Sequence, residues 1–193
     1  MADLSTAFNP SIVATASDAA SNAASKATIA QSMASDASSA AVVAAAAASG
    51  WTPTHMVTAW LDGDQNNITA GGSVLVALDT EIMDIGNDFS TATHLFTVPH
   101  TGYYFVIGSI GWKPQVISKL YYVQIGATGG GNLCQANYRT TSATTYFTIN
   151  TSKIVYLEAS DTVGLYALND SGDNTSDLNG TVNNTYLSIV YLG

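Results

Sequence analysis

The sequence predicts two parts: an N-terminal α-helical coiled coil, read as one strand of a parallel trimer, followed by an all-β sandwich or jelly roll of about ten strands. Three observations carry this. An apolar residue recurs at alternating steps of three and four through Val13, Ala16, Ala20, Ala23, Ala27, Ala30, Ala34, Ala37, Ala41, Ala44 and Ala48. The composition changes at Trp51: residues 11 to 50 are mostly Ala and Ser, whereas all three Trp and all ten Tyr lie from Trp51 onward. Beyond that boundary, short runs rich in Val, Ile, Leu, Thr and Tyr alternate with turn clusters, the vocabulary of strands.

Residues 1–9 show no periodicity, so they form either a disordered leader or an anchor that orders against a larger assembly. Asn9 and Pro10 make a helix start, because Asn caps the free amides and Pro fits the first helical position. The 3.5-residue repeat that follows is the seam of a left-handed supercoil. Alanine fills ten of its eleven positions, which lets helices approach closely but buries little area per layer. High helix propensity compensates in part, and the rod from Val13 to Ala48 is about 54 Å long. A disordered Ala/Ser linker is the alternative; scarce flanking charges favour it and the unbroken register opposes it. Gly50 and Pro53 stop the helix. The division is therefore leader 1–9, stalk 10–50 and β head 51–193.

In the head, strands are expected near His55–Leu61, Ser73–Asp79, His94–Val98, Gly102–Trp112, Leu120–Ile125, Leu133–Arg139, Thr144–Thr148, Lys153–Glu158, Thr162–Leu168 and Asn184–Leu192. In the last of these, Leu187, Ile189 and Tyr191 alternate with Tyr186, Val190 and Leu192, so both faces are apolar. A strand buried on both sides of a two-layer domain implies that one side meets neighbouring subunits.

The formal net charge of -9, with five basic residues, excludes the phosphate-neutralising surface of a nucleic-acid binder. No stretch reaches the roughly 20 apolar residues of a membrane span, and the N-terminus lacks the basic and apolar regions of a signal peptide. The single Cys134 reads as a small buried hydrophobe. Asn-x-Ser/Thr sequons, as at Asn67, read as fortuitous in an Asn/Thr-rich chain.

From Leu78 onward, Asp84, Phe89, Phe96, Gly102 and Tyr104 stand at intervals that resemble the C1q domain signature of the C1q and tumour-necrosis-factor jelly-roll superfamily. Leu78 and Val106 stand where that pattern has Phe, and Gly108 where it has an aromatic. Residues 154–163, with Asp161, resemble the family's strand-turn-strand, Ser160 taking the usual Gly place. Thr185–Gly193 resembles its final strand. The resemblance covers about 51–193 and implies a ten-stranded jelly roll that forms compact homotrimers on a trimeric stalk. No Gly-x-y repeat is present, so the stalk is not collagen. Ala/Ser-rich helical stalks with small β heads look instead like bacteriophage tail fibres and other virion appendages.

No catalytic constellation is evident, so the chain is not expected to be an enzyme. His55, His94 and His100 lack metal-ligand spacing, and Gly129–Gly131 reads as a hairpin tip. No cofactor is expected. Asp62, Asp64 and Asn66 open like a calcium loop but lack Gly at the sixth place and Glu at the twelfth, so calcium is the alternative there, with a solvated turn preferred. Trp112, Tyr138, Arg139 and Tyr146 are candidate receptor contacts, because aromatic faces beside polar groups cover sugars. The expected function is a virion fibre: the leader docks on virion proteins, and the trimeric head binds a host surface receptor or glycan. A capsid or neck decoration fibre and a bacterial surface or spore-coat structural protein are the alternatives. A polysaccharide depolymerase is a third class.

Overall fold

The structure is a computed structural model that describes residues 52–193, except 114–117, 129–130, 141–145, 171 and 173–175. The leader and the alanine seam from Val13 to Ala48 lie outside the described residues. The chain divides into the units Met1–Trp51 and Thr52–Gly193.

Among the described residues the second unit contains twelve strands: β1 (Met56–Trp60), β2 (Ser73–Leu75), β3 (Thr80–Ile85), β4 (Phe89–Ser90), β5 (Leu95–Thr97), β6 (Gly102–Lys113), β7 (Leu120–Ala127), β8 (Gly131–Arg139), β9 (Phe147–Leu157), β10 (Thr162–Asn169), β11 (Asp177–Leu178) and β12 (Tyr186–Tyr191). They form two antiparallel sheets. In the first, β9 pairs with β6, whose other edge pairs with β12 and β11, and the sheet continues through β1 to β3. In the second, β8 pairs with β7 and β7 with β10, whose far edge pairs with β2 and with β5, followed by β4.

Alternation decides what enters the core. Along β6, Tyr104, Val106, Ile110 and Trp112 are fully buried, and they meet Tyr121, Val123 and Ile125 of β7 and Val163, Leu165 and Ala167 of β10 from the opposite sheet. Gly108 falls on this inward face because a Cβ there would stand 2.6 Å from Leu165 Cδ1. At about 25 cal/mol per Å² this apolar layer is the principal source of stability.

Four expectations need correction. The described residues Phe147–Thr148 of one expected segment and Lys153–Leu157 of the next belong to one strand, β9, whose polar middle Asn150–Ser152 keeps its ladder with β6, while residues 144–145 lie outside the described residues. Polarity along one face does not interrupt backbone pairing. β3 was unexpected, because Glu81 and Asp84 hide its apolar residues; it is an edge strand, where charge is tolerated. His94, expected on a strand, ends a turn with φ 61° and contacts the Leu78 carbonyl oxygen through Nδ1 at 2.8 Å. The last strand begins at Tyr186 rather than Asn184, which lies in a turn.

Candidate subunit interface and ligand-contact residues

The outer face of the first sheet carries an apolar row that crosses all five of its long positions. In register it reads Ile85, Met56, Val190, Phe105 and Ile154. Toward the end where Thr52 begins the domain, the next outward pair is Tyr103 and Tyr156, stacked edge to face with centroids 5.4 Å apart. On the other side the row reads Met83, Thr58, Ser188, Ile107 and Ser152, in which the Thr58 and Ser188 hydroxyls satisfy each other at 3.0 Å. Exposure concentrates at the two margins: Ile154 58%, Tyr156 57% and Tyr103 56% by β9, Ile82 56% and Ile85 39% on β3. No residue in these rows is charged.

The outer face of the second sheet is built differently. Its rows read Leu75, Tyr166, Gln124, Gln135 and then Ser73, Leu168, Tyr122, Asn137. Gly164 and Gly126 are paired at its centre, followed by Asn132 on β8. These rows also lack charge, but amides replace the aliphatic residues.

The residues of the spaced motif sit around one end of the sandwich. Asp84 accepts hydrogen bonds from the amides of Asp88 and Phe89 at 3.1 and 3.0 Å, which closes the β3–β4 turn. Phe89 and Phe96 are register partners, and Phe96 packs edge to face on Tyr104 at 6.1 Å. Tyr104 is buried and donates its hydroxyl to the His100 carbonyl at 2.6 Å; burial pushes its phenol up from its ordinary value. A Cβ on Gly102 would stand 2.8 Å from Tyr191 and 2.9 Å from the Gly193 carbonyl oxygen, so the close approach explains the glycine. Asp161 accepts from the Glu158 amide at 3.1 Å, and Ser160 holds φ 78°, the conformation that a Gly would adopt more easily. His55 also joins this end, its Nδ1 2.6 Å from Asp88 Oδ2 and its ring 4.8 Å from that of His100.

The candidate receptor contacts do not share one surface. Trp112 is a correction: it is fully buried, 5.0 Å from the Tyr121 ring, and presents nothing to a ligand. Its indole N–H has no hydrogen-bond partner among the described residues. Tyr138, across from buried Tyr121, turns toward Phe147 at 5.0 Å. Arg139 leaves the opposite side of β8 and donates to the Ser118 carbonyl at 2.9 Å. Tyr146 lies under Lys113 Nζ, 5.6 Å from its centroid. In the Asp62 loop, Asp64 pairs with Lys113 and accepts from the Gly180 amide at 3.1 Å. The Lys113 hydrogen bond holds its carboxyl below the usual range against the opposing effect of burial. Sequence reasoning missed the amide face, whose signal was the alternation of Tyr122, Gln124 and Gly126 along one strand.

The architecture matches solved structures over most of the β unit. Murine APRIL at pH 5.0 superposes with a TM-score of 0.55 at 13% identity, covering 72% of this chain and 98% of that one. The globular domain of zebrafish complement 1qA gives 0.53 at 11% identity, covering 72% and 96%. The Eiger TNF of S. frugiperda gives 0.58 at 13%, covering 74% and 94%. The class is therefore the C1q/TNF-like jelly roll, shown at the level of fold. No protein-family model matches the chain, and no curated protein matches it.

Proposed function

We propose that the chain is a non-enzymatic, homotrimeric binding module: its heads associate through the outer face of the first sheet, and the trimer serves as a virion fibre that contacts a host surface. The observation that carries the assembly is the uncharged apolar row Ile85, Met56, Val190, Phe105, Ile154. Full burial of such a side chain is worth about 1.5–3 kcal/mol, while association costs about 4–15 kcal/mol. Val190 is already 8% exposed within one subunit, so the row alone falls short and the Tyr103, Tyr156 and Met83 flanks are needed.

The exposed margins also favour a ring over a two-fold dimer. The aromatic margin at β9 and the aliphatic margin at β3 are unlike surfaces at opposite sides of one sheet, and unlike patches that meet head to tail close into a cycle. The heptad in residues 13–48 supports a threefold cycle, and three linked heads would multiply weak surface contacts. Attachment to a virion through residues 1–9 rests on the resemblance of the Ala/Ser-rich stalk to fibre segments. A capsid or neck decoration fibre shares the same assembly.

Sedimentation of the full chain tests the assembly. The expected mass is roughly 60 kDa, three times the 20.0 kDa chain. A monomer at micromolar concentration sinks the proposal. Labelled trimer should adsorb to intact host cells if it contacts a receptor, and failure on every natural host would turn the reading toward decoration.

A further inference from the structure

We infer that the outer face of the second sheet is a binding site for an uncharged carbohydrate, with Tyr166 as its platform and the amides of Gln124, Gln135, Asn132 and Asn137 as its hydrogen-bonding field. The inference rests on the reading of the head as a surface-binding module and names the ligand class, but it does not require the trimer.

Gly126 and Gly164 face each other across β7 and β10. A Cβ on either would stand 3.2 Å from Tyr166 Cε2, so the paired glycines let the phenol ring lie down over the sheet. A ring in that attitude offers a π face to the C–H bonds of a pyranose. Gln124 stands beside Tyr166 in register and opposite Gln135. Asn132 Nδ2 donates to Gln135 Oε1 at 2.8 Å, and Ser73 Oγ donates to Gln124 Oε1 at 3.4 Å, so the side-chain oxygens of Gln135 and Gln124 are each engaged from one side. Each amide has two donors and two acceptor positions, and these bonds use only part of that capacity. Asn137 extends the field beside Tyr122.

The chemistry selects the ligand. No acidic or basic side chain stands in these rows; Arg139, two residues beyond Asn137 on the same side of β8, is engaged with the Ser118 carbonyl, and with a net charge of -9 on the chain an acidic glycan meets general repulsion. An apolar protein surface would strip water from the amides without replacing its hydrogen bonds. A neutral polyol replaces those waters group for group while its C–H face covers the ring.

The test titrates the full chain with neutral glucan and mannan oligosaccharides and with oligogalacturonate as the charged control, following backbone amides by NMR. At least one neutral oligosaccharide should shift the Gly126, Gly164 and Gln124 amides saturably, and oligogalacturonate should not. Tyr166→Ala should weaken binding about tenfold. Gln135→Ala, at an exposed position outside the core, should weaken it about threefold and guards against misfolding of the tyrosine variant. No binding by any neutral sugar, shifts confined to another surface, preference for the acidic oligomer, or unchanged affinity in Gln135→Ala would each overturn the inference. Sedimentation of the same samples separates the two readings. A trimer that binds no neutral sugar removes only the carbohydrate site, and a monomer that binds one removes only the assembly.

Discussion

The central rows of the two outer faces of the sandwich both lack charge, yet they differ in what water can do on them. On the first, Phe105, Val190 and Ile154 offer water no partner, so covering them releases it at no hydrogen-bonding cost. On the second, Gln124, Gln135 and Asn137 hold water, and only a ligand with its own hydroxyls or amides replaces it evenly. One sheet is therefore suited to a copy of the chain and the other to a soluble polar partner. Polarity alone, without a single ion pair, separates the two roles.

The largest test of that contrast places a charge on each face. Phe105→Asp sets a carboxylate at the centre of the apolar row, and an unpaired charge buried at an interface costs about 3–5 kcal/mol. Sedimentation should show the trimer lost to monomer at micromolar concentration, with the fold intact by circular dichroism. Gln124→Asp on the other face should leave the mass unchanged. If Gln124→Asp dissociates the assembly and Phe105→Asp does not, the roles of the faces are reversed.

A smaller effect is expected from the glycine pair. Gly164→Val would drive a Cβ to 2.8 Å from Leu95 Cδ2 and 2.9 Å from Leu75 Cδ1, both movable side-chain ends. Overpacking of this kind costs about 1–3 kcal/mol, read as a lowered urea midpoint. Assembly mass should survive it, because the strain lies wholly on the second sheet. Cys134, on the core side of that sheet, gives a milder probe: burial pushes its thiol up, so alkylation in the native protein at neutral pH should be slower than in urea. Equal rates would place the thiol in solvent.

Much of this fold was legible because its signals are local. The alternation of Tyr104, Val106, Ile110 and Trp112 and the two-sided strand Tyr186–Tyr191 identify core strands directly. The spaced Asp84, Phe89, Phe96, Gly102 and Tyr104 become adjacent only through pairing, yet their intervals announce it. What escaped depends on register between distant strands. Ile85 and Ile154 join one row through three intervening strands, and no window of sequence contains that row. Trp112 was misplaced because an aromatic at a strand end reads equally as a ligand platform or as core, and alternation from buried Ile110 settles it inward. The amide face escaped for a related reason: the alternation along β7 marks Gln124 alone, and Gln135 joins it only when β7 and β8 set them side by side.

Charge should contribute least, since it lies outside the apolar rows of the first face. Raised salt should leave the trimer mass unchanged, in contrast to an assembly held by ion pairs, which weakens as screening shortens to about 3 Å at 1 M. The Asp64–Lys113 pair adds a small pH dependence. Its hydrogen bond lowers the folded-state pKa of Asp64 below the unfolded carboxylate value of about 3.9. The stabilisation is therefore present above that value and is lost as pH falls through the lower folded-state value. The Asp64 side chain is 37% exposed, so solvent screening holds the contribution below about 1 kcal/mol. Asp64→Asn should differ from wild type by that small amount above about pH 5, and the difference should shrink below about pH 4 in urea titrations. A difference that grows with acidification would show that the carboxylate is not the stabilised form.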